Sequence, residues 1–172
     1  MPPMTFSIRI ANLQDAAEVT ALLEASYASQ LRDRYRPEVL AKALPLMTKA
    51  NPRLLGSGTY YVAQAGTELV GCGGWSNEAP GTRELTEGTA HIRHVATHPG
   101  WLRHGIGRGL MFRCFEGAAS AGVGNLQCHS TVVAVDFYLA VGFQVVGPLE
   151  MRLVPDISID GVLLRRALTP NS

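Results

Sequence analysis

Long apolar runs are missing from this chain: none of its 172 residues belongs to a stretch of about 18 apolar residues, the length a bilayer-crossing helix needs. No membrane partner is therefore expected. Charge of one sign is missing too, because 15 basic and 14 acidic side chains leave a formal net charge of +1, mixed along the sequence. A nucleic-acid binder would carry a basic surface, so that partner is not expected either. Cysteine is scarce: Cys72, Cys114 and Cys128 are odd in number, isolated, and form no C-x-x-C pair. They read as reduced, buried thiols, and no metal is expected. The segment MPPMTFSIRIA has neither the charged start nor the apolar core of a signal peptide, so a soluble, cytoplasmic protein is expected. No internal repeat or linker divides the chain. With 47% apolar residues, one domain over residues 1–172 follows from the length.

The most informative stretch is His91 to Leu110, HIRHVATHPGWLRHGIGRGL, which reads as a strand, a tight polar turn and a glycine-rich entry into a helix. Gly105, Gly107 and Gly109 alternate where the turn becomes the helix. Lacking a Cβ, they let a ligand touch the backbone, and the first amides of a helix have no partner inside it, so the turn suits phosphate. Leu110, Met111, Cys114, Phe115 and Ala118 recur at three- and four-residue steps and give the helix one apolar face. A Walker loop would end in Gly-Lys-Ser/Thr, whereas Gly107 is followed by Arg108 and Gly109. A dinucleotide fingerprint would need glycine where Leu110 stands.

Around this centre the pattern alternates between strands and helices. Phe6, Ile8 and Ile10 give a strand, after which Asn12 caps a helix, with Asp15 near its positive end. That helix turns Leu13, Ala16, Ala17, Leu22 and Leu23 inward and runs to about Tyr27. The polar segment SQLRDRYRP follows. Pro37 then starts a second helix that Pro45 kinks or ends. TYYVAQ and ELVGCGGWS form a hairpin through Ala65-Gly66-Thr67, and Gly71, Gly73 and Gly74 mark a bulge or a close approach of another segment. Thr89 to Thr97 is the strand that delivers the glycine turn, and Gly124 to His129 is the strand after the long helix. Ser130 to Phe143 reads as a short helix capped by Ser130 or Thr131 and stopped by Gly142. VVGPLEMRLV and ISIDGVLLRRAL close the chain as a hairpin.

Two of these segments together resemble the GCN5-related N-acetyltransferases. Thr97-His98-Pro99 and Leu102-Arg103-His104-Gly105-Ile106-Gly107 match the family's acyl-CoA loop, a strand ending near proline followed by Gln/Arg-x-x-Gly-x-Gly/Ala, with Leu102 departing at the Gln/Arg position. Phe137-Tyr138 and Gly142-Phe143 match its second motif in the right order, although Thr131 replaces a common Asn. The resemblance implies a single-domain α/β (α+β) fold, with a central mixed, mostly antiparallel sheet flanked by helices and splayed around the glycine helix. It also implies acetyl-CoA as cosubstrate. Its pantetheine arm would pair with the backbone of Val95, Ala96 and Thr97, and its pyrophosphate would lie on the amides of Arg103, His104, Gly105, Ile106, Gly107 and Arg108. The His104 side chain is expected in solvent, whereas Arg103 and Arg108 add charge-assisted bonds.

The implied reaction is direct attack of a neutral amine on the thioester carbonyl in a ternary complex, the oxyanion meeting a backbone N–H near Val95 and Tyr138 donating to the departing sulfur. Full proton transfer from a phenol near 10 to a thiolate near 8.5 is uphill by about 2 kcal/mol, so a strengthening hydrogen bond matters as much as transfer. Outward alternation on the strand before the loop offers His91 as base, with Glu87 and ordered water as alternatives. Tyr27, Tyr35, Tyr61, Trp75, His91 and Arg93 are expected to converge opposite the cofactor. Because Arg93 repels polycations, the expected acceptor is a small-molecule or peptide amine that also carries a carboxylate or apolar group. Assembly as a homodimer stays open. The competing class is a regulatory module that binds acyl-CoA without transfer.

Overall fold

A computed structural model describes residues 5–168, so the first four residues of the segment read for a signal peptide lie outside it. The strands are β1 (Ser7–Ile10), β2 (Tyr60–Ala65), β3 (Glu68–Ser76), β4 (Thr89–Thr97), β5 (Asn125–Thr131), β6 (Gln144–Val154) and β7 (Ile157–Ala167). They make one seven-stranded sheet in the order β1-β2-β3-β4-β5-β7-β6. Every pairing is antiparallel except β4 with β5. That exception has a simple cause: the glycine helix α4 (Ile106–Ser120) crosses over between those two strands and returns the chain in the same direction.

Helices cover both faces. Leu110, Met111, Cys114 and Phe115 of α4 are buried against Tyr61, Ala63, Ile92, Leu126 and Leu164 of the sheet, as their spacing requires. On the other face α1 (Ala16–Leu31) places Val19, Leu22 and Leu23 against Tyr60, Val62 and Cys72. α2 (Pro37–Met47) and α3 (Pro52–Leu55) both begin on a proline at the first turn, where the missing N–H costs nothing. Close approach explains the glycines of β3: a Cβ on Gly71 would collide with Ile106 of α4, and one on Gly74 would meet Tyr60 Cα at 2.6 Å.

Some expectations need correction. Asn12 does cap, with its side chain accepting from Gln14 N–H while Asp15 accepts from Asn12 N–H, but it caps a short 3-10 turn that leaves Leu13 61% exposed. Ala17 and Ile10 are also exposed, the latter at the end of edge strand β1. α1 continues past Tyr27 to Leu31, because no breaker intervenes and Leu31 is itself buried. Ser130 and Thr131 are strand residues of β5 paired with Val162 and Gly161, so neither caps the short helix α5 (Val135–Ala140), which starts after Ala134. Pro45 sits inside the last turn of α2, two residues before its end.

Candidate active site

β4 and β5 are joined over only three residue pairs, Thr89 with Asn125, Ala90 with Leu126 and His91 with Gln127, and then part. From Ile92 onward the β5-facing edge of β4 has no strand against it, while its other edge stays paired to β3 as far as Thr97. A bulge accompanies the parting: Cys72 faces Ala96 and Gly74 faces Arg93, so His94 and Val95 together oppose Gly73. One extra residue bends a strand and sharpens its twist. His94 adopts φ 45°, and its carbonyl accepts from the Tyr60 hydroxyl at 2.7 Å and the Cys72 thiol at 3.5 Å. The next carbonyl, of Val95, accepts from Tyr27 of α1 at 3.3 Å.

Between the parted strands lies a cleft of about 80 Å3, the space of two or three waters. Tyr27, Gln30 and Leu31 of α1 line one side; Cys128 and His129 of β5 and Tyr138 of α5 line the other, with His94 on the bulge. Burial beside the Cys128 thiol holds the Tyr138 phenol well above its ordinary range. It therefore remains an O–H donor at any physiological pH. Phe137 packs edge-on against Tyr138, ring centres 5.1 Å apart, and Phe143 does the same from behind at 5.4 Å. Burial pushes the Cys128 thiol itself up to about 12, which leaves it unreactive.

The loop from Thr97 to Ile106 is stiffened by its own contacts. His98 accepts from Gly100 N–H, Pro99–Trp101 form a 3-10 turn, and the His104 ring is tilted on Trp101 with Nδ1 2.8 Å from Leu102 O. Arg103 and Gly105 are left-handed, at φ 64° and 81°. Among the described residues, the amides of Arg103, His104, Gly105, Ile106, Gly107 and Arg108 find no acceptor in the protein; the first bonded amide is that of Gly109, to Gly105 O. Six neighbouring N–H groups at a helix start form an anion site by composition. Phe137 closes over it: a Cβ on Gly107 would lie 2.9 Å from that ring. Arg108 lies over Phe112 and Arg103 is exposed, neither paired with a carboxylate among the described residues.

Beyond the C-terminal end of β3 a larger depression, about 840 Å3, opens between α3 and the connection to β4. Arg53, Arg83 and Arg93 line it against the single carboxylate of Glu78. Glu78 is taken by Arg53 at 2.6 Å and by Arg83 at 3.5 Å. Arg93 donates only to Ser76 Oγ, at 2.9 Å, and to Glu78 O, at 3.5 Å; burial lowers its pKa. A half-buried guanidinium with no carboxylate is a place for an anion.

The structure therefore brings Val95, Tyr138 and the parted edge of β4 to one opening, and Phe137, next to Tyr138, reaches Gly107 of the loop. It does not bring all of the expected acceptor wall there. Tyr61 and Trp75 belong to the α4-side core, since strand alternation turns them toward Gly117 of that helix. Tyr35 serves as a tie, its hydroxyl donating to Asp160 O at 2.7 Å and accepting from Val132 N–H at 3.0 Å. His91 is 5% exposed with Nδ1 unpartnered, edge-on to His129 at 6.1 Å, and burial next to His129 and Arg93 lowers it to about 4. It does not line the cleft, and Glu87 is exposed in the connection before β4. His94 and His129 do line it, and the sequence held one signal for the first: at the inward phase set by Ala90 and Ile92, a histidine interrupts the apolar series. Among the described residues no cluster of His, Cys, Asp or Glu has metal-site form, and no helix is long and apolar enough to cross a membrane.

Comparison with known proteins agrees with this architecture. No curated protein sequence matches the chain. Among solved structures, PaiA N-acetyltransferase from Thermoplasma acidophilum, in complex with coenzyme A, shares 14% identity at a TM-score of 0.72, covering 95% of this chain and 99% of that one. A GCN5-related N-acetyltransferase from Rhodopseudomonas palustris shares 21% at 0.76, covering 98% and 99%. N-acetylglutamate synthase from Neisseria gonorrhoeae, with coenzyme A and N-acetyl-glutamate, shares 18% at 0.62, covering 97% of this chain and 36% of that one. The family profile described as an acetyltransferase (GNAT) domain matches residues 31–152, most of the chain, including the parted strands, the glycine helix and the Phe137-Tyr138 helix. The chain thus belongs to the GNAT acetyltransferase family and is an acetyl-CoA-dependent acyltransferase.

Proposed function

We propose that the protein moves the acetyl group directly to the amine of a small molecule or peptide that also carries a carboxylate, both substrates being bound at once. The observation that carries this reading is the parting of β4 and β5 after three residue pairs, with the Tyr138 side chain lining the opening. An unpaired strand edge can accept the amides of an extended pantetheine arm, and the free amides of Arg103, His104, Gly105, Ile106, Gly107 and Arg108 suit its pyrophosphate. Val95, Ala96 and Thr97 supply that edge, and Gly107 keeps the approach clear.

Acetyl-CoA supplies an activated acyl carbon and a thiolate leaving group; the protein's part is positioning and charge. Tyr138 acts as a hydrogen-bond donor to the sulfur. Its raised pKa makes complete proton transfer costlier than the unperturbed values imply, so the bond strengthens as charge builds on sulfur and the proton stays on oxygen. A purely regulatory acyl-CoA binder has no use for a phenol buried at that point. The acceptor's carboxylate is assigned to Arg93, which alone of the three arginines in the depression lacks a carboxylate among the described residues. A cytoplasmic location is supported by three free, buried cysteines.

Thiol release from acetyl-CoA with a panel of amino acids, glycyl dipeptides, spermine and kanamycin, with mass detection of products, tests the proposal. Carboxylate-bearing amines should give the highest kcat/KM, and Arg93→Ala should raise their KM with little change in acetyl-CoA affinity. Faster turnover of spermine or kanamycin would refute the acceptor assignment.

A further inference from the structure

We infer that His94 is the general base of the reaction, receiving the proton that the attacking amine must lose. The inference rests on the proposed transfer within the cleft and goes beyond it by naming the acceptor of that proton. Three independent observations meet at this residue. The first is conformational. A non-glycine residue at φ 45° sits in a sparsely populated region, a strain of roughly 1–3 kcal/mol that persists only where the surroundings impose it. Here they do, because two buried donors, the Tyr60 hydroxyl and the Cys72 thiol, converge on the His94 carbonyl and hold the bulge in place.

The second observation is what the bulge accomplishes. Regular alternation would send His94 the way of Ala90 and Ile92, into the core beneath α4. With His94 and Val95 sharing one place opposite Gly73, Val95 packs on the core beneath α4, and His94 is left to line the cleft with Ile92, Tyr138 and His129. The third is that its ring nitrogens make no hydrogen bond among the described residues, so one is available to a substrate. His91 lacks this access, and His129 sits in a regular stretch of β5 with no strain to explain.

The groups packed around the imidazole favour its neutral form. Arg93 adjoins it on β4, Tyr27 comes from α1, Cys128 and His129 from β5, and Tyr138 from α5; no carboxylate lines the cleft. Burial, with Arg93 beside it, lowers the ring to about 4, so at neutral pH it is unprotonated and holds an unshared electron pair, as a weaker base than a free imidazole. In the step proposed, the amine nitrogen forms its bond to the acyl carbon and gives a proton to an imidazole nitrogen of His94. The carbon–sulfur bond breaks with its electron pair going to sulfur, which Tyr138 stabilises. The imidazolium then returns its proton to solvent.

His94→Asn is the variant of choice, since asparagine tolerates the left-handed region and preserves the bulge while removing the base. With acetyl-CoA and the fastest amine of the panel, kcat should fall about 100-fold while KM for acetyl-CoA is unchanged. His94→Gly, which also accepts the backbone conformation, should regain activity on addition of imidazole; a merely structural residue would not be rescued this way. Independently of turnover, 15N shifts of the imidazoles at neutral pH should report His94 as neutral and should move on addition of acetyl-CoA. Wild-type kcat in a folded His94→Asn, loss of activity in His91→Gln alone, or a His94 ring unmoved by acetyl-CoA would overturn the assignment. Each of those leaves direct transfer standing if Tyr138→Phe is impaired, whereas absence of acetyl-CoA binding by the wild-type protein would instead remove the reading on which it rests.

Discussion

Replacing Gly107 separates cofactor binding from folding, because the structure states what a side chain there would meet. A Cβ would lie 2.9 Å from Phe137 Cε1 and 3.1 Å from Cζ. Ordinary carbon contacts are about 3.5–4.0 Å, so the ring must retreat by roughly half an ångström. Phe137 is half-buried on the six-residue α5, so it has somewhere to go. Overpacking costs about 1–3 kcal/mol in a rigid core; here the lower end applies, and the helix gains roughly 0.5–1 kcal/mol on losing a glycine. Gly107→Ala should therefore stay folded, with Tm within a few degrees of wild type. Binding has no such relief, since the added carbon stands where phosphate oxygens would approach the amides. We expect acetyl-CoA affinity to fall in Gly107→Ala and by at least about tenfold, or 1.4 kcal/mol, in Gly107→Val, with kcat falling too because Phe137 packs on Tyr138. Gly105→Ala is the contrast: nothing lies within 4 Å of its Cβ, but φ is 81°, so it should lose about 1–2 kcal/mol of stability, and its acetyl-CoA affinity should fall less than that of Gly107→Val. Calorimetric titration, thermal melts and thiol release read all three quantities. A folded Gly107→Val with wild-type affinity would refute the reasoning.

Tyr138→Phe keeps the ring that packs on Phe137 and Phe143, so acetyl-CoA affinity should hold while kcat drops about 10- to 100-fold, the worth of a hydrogen bond to a charged sulfur; unchanged kcat with chemistry rate-limiting would return the residue to a packing role. Arg9 grips Asp15 through two bonds of 2.8 and 2.9 Å, and this pairing, with help from Asn12 N–H, lowers the Asp15 pKa. A depressed carboxylate pKa gives stability that is complete above the unfolded value near 4 and is lost as pH falls through the folded value. Asp15→Asn should accordingly cost about 1 kcal/mol at pH 7, the exposed side of Arg9 limiting the effect, and the gap to wild type should close in acid denaturation curves once the pH falls below the lowered Asp15 pKa.

Much of the fold was legible because its signals are local. The apolar face of α4, the 65–67 hairpin turn, the bounds of β4 and the proline start of α2 depend on residues a few positions apart. The glycines of β3 announced a close approach, but which segment approaches is a matter of tertiary packing; nothing in GCGG names Ile106. The short helix was placed too early because Ser130 and Thr131 are good caps in isolation, whereas pairing with Val162 and Gly161 keeps them in β5. The site shows the same division. The loop amides were singled out by the glycine spacing, and Tyr138 by the family resemblance. His94 was not, because a bulge shifts register by one and turns a side chain to a different surface, and the bulge is fixed by Tyr60 and Cys72, distant in sequence.

Amide shift mapping of the 15N-labelled protein during titration with acetyl-CoA tests the central claim most directly, namely that the cosubstrate enters the parting of β4 and β5 with its phosphates on the glycine loop. The largest perturbations should fall on the amides of Arg103 to Arg108, on Val95 to Thr97 and on the residues about Tyr138, with the far edge at β6 unmoved. Perturbations centred on the depression between α3 and the β3–β4 connection, with the amides of Arg103 to Arg108 silent, would contradict it.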